Sequence, residues 1–250
     1  MQRIFCVVEG PAVLEVSTGF KIVIVAAMER EIWPLVKDWP AVSKAHDGRS
    51  FKFFEKQPVA LTCGGMGAEA ARRAAEAAIA LYQPAIVISA GFAGGVSPLL
   101  QAGQLLTPRH VIDATDGSRT DAGVGDGILV TFETVADAQQ KAKFGDAFGA
   151  HAVDMEAAAV ARAAEAHGIK FLACKVISDT HDSRLPPIMR FVDSGGRFHA
   201  GSFVAHVAIR PWLWGGIIRL ARNSTVAAKI LSEALAVHAE KGITPELVSK

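Results

Sequence analysis

The chain has 250 residues, of which 50% are hydrophobic and 20% charged, enough apolar material for a sizeable core and too much for disorder. Its 26 Lys and Arg against 25 Asp and Glu leave a formal net charge of +1, so no one-signed field draws in a nucleic acid. Cys6, Cys63 and Cys174 are odd in number, widely spaced and without a CxxC pair. That pattern argues against a disulfide framework or a zinc site and for reduced thiols in a cytoplasmic protein.

Residues 1–20 read as an appendage or edge strand, and Glu9 and Glu15 interrupt the apolar stretch a signal peptide would need. No apolar run reaches the roughly 20 residues of a bilayer span. Residues 21–250 read as one domain. Ile22–Ala26 is a continuous β-branched run, the mark of a strand covered on both faces. A helix is expected over 29–37, then paired strands at 51–54 and Val59–Cys63 around Gln57-Pro58. Gly64-Gly65-Met66-Gly67 turns the chain into an Ala-rich helix over 68–81. A second buried strand, 86–89, is expected to end at the glycine turn 91–95, and a third strand is expected over 104–112. Residues 113–127, dense in Asp, Gly and Thr, read as a loop. Residues 154–167 predict a helix stopped by Gly168, and 171–177 a further buried strand. The tail, 206–248, reads as mostly helical; Trp212 and Trp214, two apart, fit a strand face or an irregular anchor. Alternating buried strands and helices imply an α/β fold: a three-layer α/β/α sandwich around a mixed, mainly parallel sheet.

Ligands of open α/β sheets bind beyond the carboxyl ends of the strands. Residues 28–31, the turn 91–95, Ser178 with Asp179, and Asp154-Met155-Glu156 all fall at such expected ends. Carboxylates and small residues pooled there describe a site better than a core. Taken singly each has a plainer reading: Asp154 as a helix cap, Glu156 in a first turn, Met155 as core filler, Glu31 as a solvated helix residue. Gly65-Met66-Gly67-Ala68-Glu69-Ala70 fits a loose GxGxxA pattern, but the next strand ends without the acid that would hold a ribose. The histidines form no HxxxH or HExxH pair and the acids of 113–126 do not fit an EF-hand, so no metal is expected.

The block 153–159 followed by 176–179 resembles the signature of the purine nucleoside phosphorylase and 5′-methylthioadenosine/S-adenosylhomocysteine nucleosidase family. Residues 24–31 resemble the first strand and turn of its nucleosidase branch, and 62–67 and 89–95 its glycine turns, in order. The resemblance implies cleavage of a purine N-glycosidic bond in a homodimer or higher homo-oligomer, with no cofactor. It places Asp179 as the acid for purine N7, Glu156 on the ribose hydroxyls, Met155 against the ribose and Glu31 as the base for attacking water. Ser178, Gly91, Phe92 and Val135 fall in its substrate-binding segments, and Gly65, Met66 and Gly67 in its nucleophile or phosphate loop. Acid and base on opposite faces of a sugar would parallel an inverting glycosidase. Asp179 must then hold a proton near neutrality, which asks for burial or suitable neighbours.

In the phosphorylases of this family an arginine grips phosphate where Ser89 stands here, and Glu31 would repel phosphate. Hydrolysis is therefore the expectation, phosphorolysis with phosphate as co-substrate the alternative, and a nucleoside-binding protein without turnover a third reading. Arg30 is adjacent to Glu31, but one helical step points about 100° away. Phe92 and the pair Val135 and Ala136 depart from the adenosine-type nucleosidases. The Trp-rich tail with Arg210-Pro211 resembles the hopanoid-associated subgroup, which acts on adenosylhopane and releases adenine. That resemblance implies a lipid 5′ substituent and peripheral contact of 212–218 with the inner face of a membrane; ordinary core packing of the tryptophans is the alternative.

Overall fold

A computed structural model describes residues 19–183 and 185–241. Nearly all of the expected 1–20 appendage, Cys6 and the last residues of the tail lie outside the described residues. In chain order the described elements are β1 (Ile22–Ala26), α1 (Glu29–Val36), β2 (Ala41–His46), β3 (Arg49–Lys56), β4 (Val59–Cys63) and α2 (Ala68–Tyr82). There follow β5 (Ile86–Gly95), β6 (Leu105–Leu106), β7 (His110–Asp113), β8 (Arg119–Asp121), β9 (Ile128–Thr131), α3 (Ala138–Phe148) and β10 (Ala152–Asp154). The remainder is α4 (Ala157–Ala166), β11 (Lys170–Asp179), a 3-10 turn (Ile188–Phe191), α5 (Ala200–Ala208) and α6 (Pro211–Lys241).

All strands join one mixed sheet in the order β2-β3-β4-β1-β5-β10-β9-β7-β8, with β11 on β5 and β6. β5 is the spine, pairing in parallel with β1 along one edge and with β11 along the other, and meeting β10 antiparallel at Gly94 and Gly95. Period-2 alternation sends Val23 and Val25 of β1 into one core and Ile22, Ile24 and Ala26 into the other. The first core is covered by α2 and α4, whose alanines let helix and sheet approach closely, and the second by α1 and α6. That is the expected three-layer sandwich.

β1 and β4 match their expected bounds, and β3 with β4 pair antiparallel as the Gln57-Pro58 turn implied. Several expectations change. β5 does not stop before the glycine turn but runs through Gly95, because β11 supplies a ladder partner for each residue from Ala90 to Gly94. Tertiary pairing thus overrides the poor strand propensity of glycine. Ser178 and Asp179 end β11 rather than follow it. The strand expected over 104–112 is split into β6 and β7, which pair different neighbours, and the expected loop 113–127 holds β8. Asp154 closes a strand, and the helix begins only at Ala157. Trp212 and Trp214 lie on a helix, not on a strand face.

One turn fixes how α2 seats on the sheet. The amides of Gly64 and Gly65 donate to the Ala26 and Ala27 carbonyls at 3.0 Å, and a Cβ on Gly64 would stand 2.7 Å from the Ala70 carbonyl oxygen. Gly64→Ala must therefore push the first turn of α2 off β1. We expect a loss of about 1–3 kcal/mol in unfolding free energy by urea titration. A wild-type midpoint in the variant would contradict this seating.

Candidate active site

The ends of β1, β5, β10 and β11 open on a single cavity of about 570 Å³. Glu31, Met66, Phe92, Val135, Met155, Glu156, Ser178 and Asp179 all line it, so residues distant in the chain meet at one place. Gly65, Gly67 and Gly91 sit beside it and act through the backbone or through the space they leave.

Glu31 is in the first turn of α1, only 4% exposed, and accepts the Met28 amide at 3.3 Å. A Cβ on Gly91 would lie 3.1 Å from its Oε2, so Gly91 is what lets this carboxylate reach the sheet. Burial raises the pKa of Glu31, an effect that the nearby Lys175 charge opposes. Glu156, just before α4, accepts the Gly67 amide at 2.8 Å. Burial, then the charge of Asp154, push its pKa up to about 7. The glycine turn keeps little free donor capacity: the Met66 amide donates to the Gly196 carbonyl at 2.8 Å and the Gly67 amide is taken by Glu156. Arg30 and Glu31 both line the cavity despite the angle between them, with the Arg30 guanidinium 5.8 Å from the centre of the Phe198 ring.

Two lysines that sequence reading passed over organise the carboxylates. Lys175 of β11 is 1% exposed, with Nζ 2.8 Å from Asp154 Oδ2 and 3.0 Å from Ser89 Oγ. Burial opposes its charge, but Asp154, Glu156 and Glu31 prevail and raise its pKa. Asp154 also accepts the Thr131 hydroxyl at 2.7 Å and the Ala157 amide at 2.9 Å, so it caps α4 and balances Lys175 instead of facing a ligand unpaired. A lysine inside the apolar run of β11 was a legible sign of a buried cation. Lys141 of α3 had no such sign. It is 1% exposed and forms an ion pair with Asp179, which itself is 6% exposed and accepts the Ser178 hydroxyl at 2.7 Å. Where the acid role asks for a proton on Asp179, the structure sets an ammonium against it.

The far wall is apolar. Trp33 of α1, Leu185, Ile188 of the 3-10 turn, Phe203 of α5 and Ile217 and Leu220 of α6 line the same cavity as the carboxylates. Asn223 of α6 ties this wall to the site through a 3.2 Å bond to the Ser178 carbonyl. The arrangement can hold a molecule with one polar, proton-exchanging end and one extended apolar end.

Comparison with known proteins bears on the fold. The sequence profile of the Phosphorylase superfamily matches residues 21–143 and 125–195. S-adenosylhomocysteine nucleosidase from Streptococcus pyogenes, solved with 5-methylthiotubericidin, superposes with a TM-score of 0.66 at 19% identity, covering 92% of this chain and 100% of that one. Arabidopsis thaliana 5′-methylthioadenosine nucleosidase gives 0.65 at 19% identity, over 87% and 93% of the two chains. Helicobacter pylori futalosine hydrolase gives 0.62 at 18% identity, over 87% and 98%. No match is found among curated proteins.

The raised Glu156 pKa has a stability signature. Below its ordinary 4.5 the carboxyl is protonated folded or unfolded, and above about 7 it is ionised in both states. Between those limits the folded state binds the extra proton, so the stability this group contributes at low pH is lost as the pH rises through about 7. Urea titrations across that window should show wild-type stability falling relative to Glu156→Gln. Parallel curves for the two proteins would place Glu156 in contact with solvent water.

Proposed function

The chain belongs to the phosphorylase superfamily, and from that premise we propose that it hydrolyses the N-glycosidic bond of a purine nucleoside whose 5′ end carries a large apolar group. The observation that carries this reading is the meeting, in one cavity, of a carboxylate cluster with apolar side chains of α1, α5 and α6. The base sits at Asp179, which protonates N7 as the bond breaks. Met155 packs on the ribose and Glu156 takes its hydroxyls. Glu31 accepts a proton from the attacking water. Each proton transfer is worth about 10²–10⁴-fold in rate.

Water is favoured over phosphate because the nucleophile side is walled by Glu31 and Glu156, and because the Gly64 to Gly67 amides are already bonded within the chain. Ser89, where a phosphorylase would hold its anion, accepts a hydrogen bond from the Lys175 ammonium at 3.0 Å. Arg30 is the cation that a phosphorolytic reading would use. The structural neighbours named for adenosyl nucleosides support adenine as the base. The apolar wall supports a 5′ substituent of lipid character, and adenosylhopane is the compound of that class we propose. Val135, on the cavity wall, takes part in seating the base.

The exposed apolar side chains of α5, α6 and the turn between them fit a bilayer. Ile209 and Trp212 are 72% and 76% exposed, with Val204 and Ile218 also exposed on the same helical pair. From residue 194 to residue 232 the chain carries Arg197, Arg210, Arg219, Arg222 and Lys229 and no Asp or Glu. Exposed tryptophan among cations suits an anionic lipid surface. No helix of the described residues is long and apolar enough to cross a membrane, so the contact we propose is peripheral.

Two measurements test these statements. With purified protein, mass spectrometry should find free adenine from 5′-alkyl adenosines without phosphate, the longer alkyl chain giving the higher kcat/KM. Leu220→Glu should erase the chain-length preference with little effect on a short substrate. Strict dependence on phosphate, or indifference to the alkyl group, would overturn the proposal. In flotation assays the protein should rise with vesicles containing anionic lipid, and Trp212→Ser should reduce the floated fraction severalfold. Protein that stays in solution in both cases rules the bilayer contact out.

A further inference from the structure

α3 packs Phe144 and Phe148 partly against the core, and its one fully buried side chain is a lysine. Sinking an ammonium costs several kcal/mol unless a partner awaits it. Lys141 meets the Asp179 carboxylate and donates a second bond to the Thr180 carbonyl at 2.8 Å. Gly94 of β5 supplies the room: a Cβ there would lie 2.9 Å from Lys141 Cε, 3.0 Å from its Nζ and 3.1 Å from Asp179 Oδ2. Choices on α3, β5 and β11 thus serve one ion pair, and both of its members line the cavity.

Resting on the nucleosidase reading, we infer that Lys141 acts through Asp179 as the reserve of the proton that leaves with the base. When the C1′–N9 bond breaks, its electron pair moves onto the purine. The Lys141 ammonium passes a proton to the Asp179 carboxylate, which passes one to N7. C1′ takes the oxygen of water, and the water proton goes to Glu31. Nucleoside and water leave as free base and free sugar; Lys141 is left as an amine and Glu31 as an acid, and one proton exchanged through solvent restores both. Lys141 is therefore a positioning residue, one that reaches the substrate through Asp179. The charged groups of the remaining walls are Glu31 and Arg30 of α1, Asp154 of β10 and Glu156 before α4, with Lys175 of β11 beneath.

The test compares wild type with Lys141→Met on two substrates, an adenine nucleoside and 4-nitrophenyl riboside, whose leaving group departs as a stable anion. The variant should lose about 10²-fold or more in kcat on the nucleoside and less than about tenfold on the nitrophenyl compound. The ratio of the two losses does not depend on how much of the variant is folded. On the nucleoside the alkaline limb of kcat should move, because the ammonium that hands on the proton is gone. Methylamine should restore part of the rate to Lys141→Ala in a saturable way. Equal losses on both substrates with an unmoved limb, or an unchanged kcat, would overturn the Lys141 inference and leave the nucleosidase reading standing. If the wild type cleaves the nucleoside alone, the pH limb decides. A wild type that releases base from no nucleoside overturns the reading and this inference with it.

Discussion

The site depends on one buried cation. Lys175 stands where β11, β5 and β10 converge, held by Ser89 and Asp154 and surrounded by the fields of Glu31 and Glu156. Carboxylates brought this close would repel one another and lose their water; a single ammonium beneath them offsets both penalties. It fixes more than charge. Asp154 is anchored by Lys175 and Thr131 and in turn accepts the first amide of α4, so the helix start that presents Met155 and Glu156 is tied to the same ion. Loss of Lys175 would leave Asp154 as an uncompensated buried charge, a defect of the largest class.

Space in the site is made by glycines as much as by side chains. Gly91 admits Glu31, and Gly94 admits Lys141 with Asp179. Both lie on β5, flanked by β11, so these two openings are cut into the most tightly paired strand of the sheet. A loop could not hold them open to a few tenths of an ångström. This is why the segment 89–95 is a strand although its composition reads as a turn.

Legibility followed the physics of burial. β1, β4 and α2 announce themselves because an apolar run or an alanine face has no other stable place. β2 stayed hidden because it is an edge strand with alternating exposure and polar residues, and β9 because it is only four residues long. α3 stayed hidden for a more telling reason. A helix is read from the period of its apolar face, and here the fully buried position is a lysine, so only Phe144 and Phe148 mark the period and the signal is weak. The same fact hid the partner of Asp179. Sequence could gather the carboxylates, since each lies at or shortly beyond a strand end; it could not place the two lysines against them, since the partners of a lysine are not written in its neighbours along the chain.

The two ion pairs also set a polarity along the cavity. Around Glu31 and Glu156 the carboxyl groups share the single ammonium of Lys175 and burial holds their pKa values up, so this end, which faces the sugar on the proposed reading, is ready to take up a proton. At Asp179, which faces the base on the proposed reading, the ammonium of Lys141 balances the carboxylate and leaves a cation at hand. A breaking N-glycosidic bond makes positive charge on the sugar and negative charge on the base. On that reading, groups fixed in place before the substrate arrives need little reorganisation when the charge develops. On the same reading a long 5′ substituent lying against the apolar side chains of α5 and α6 would exclude water from all but the Glu31 side, where one molecule is needed.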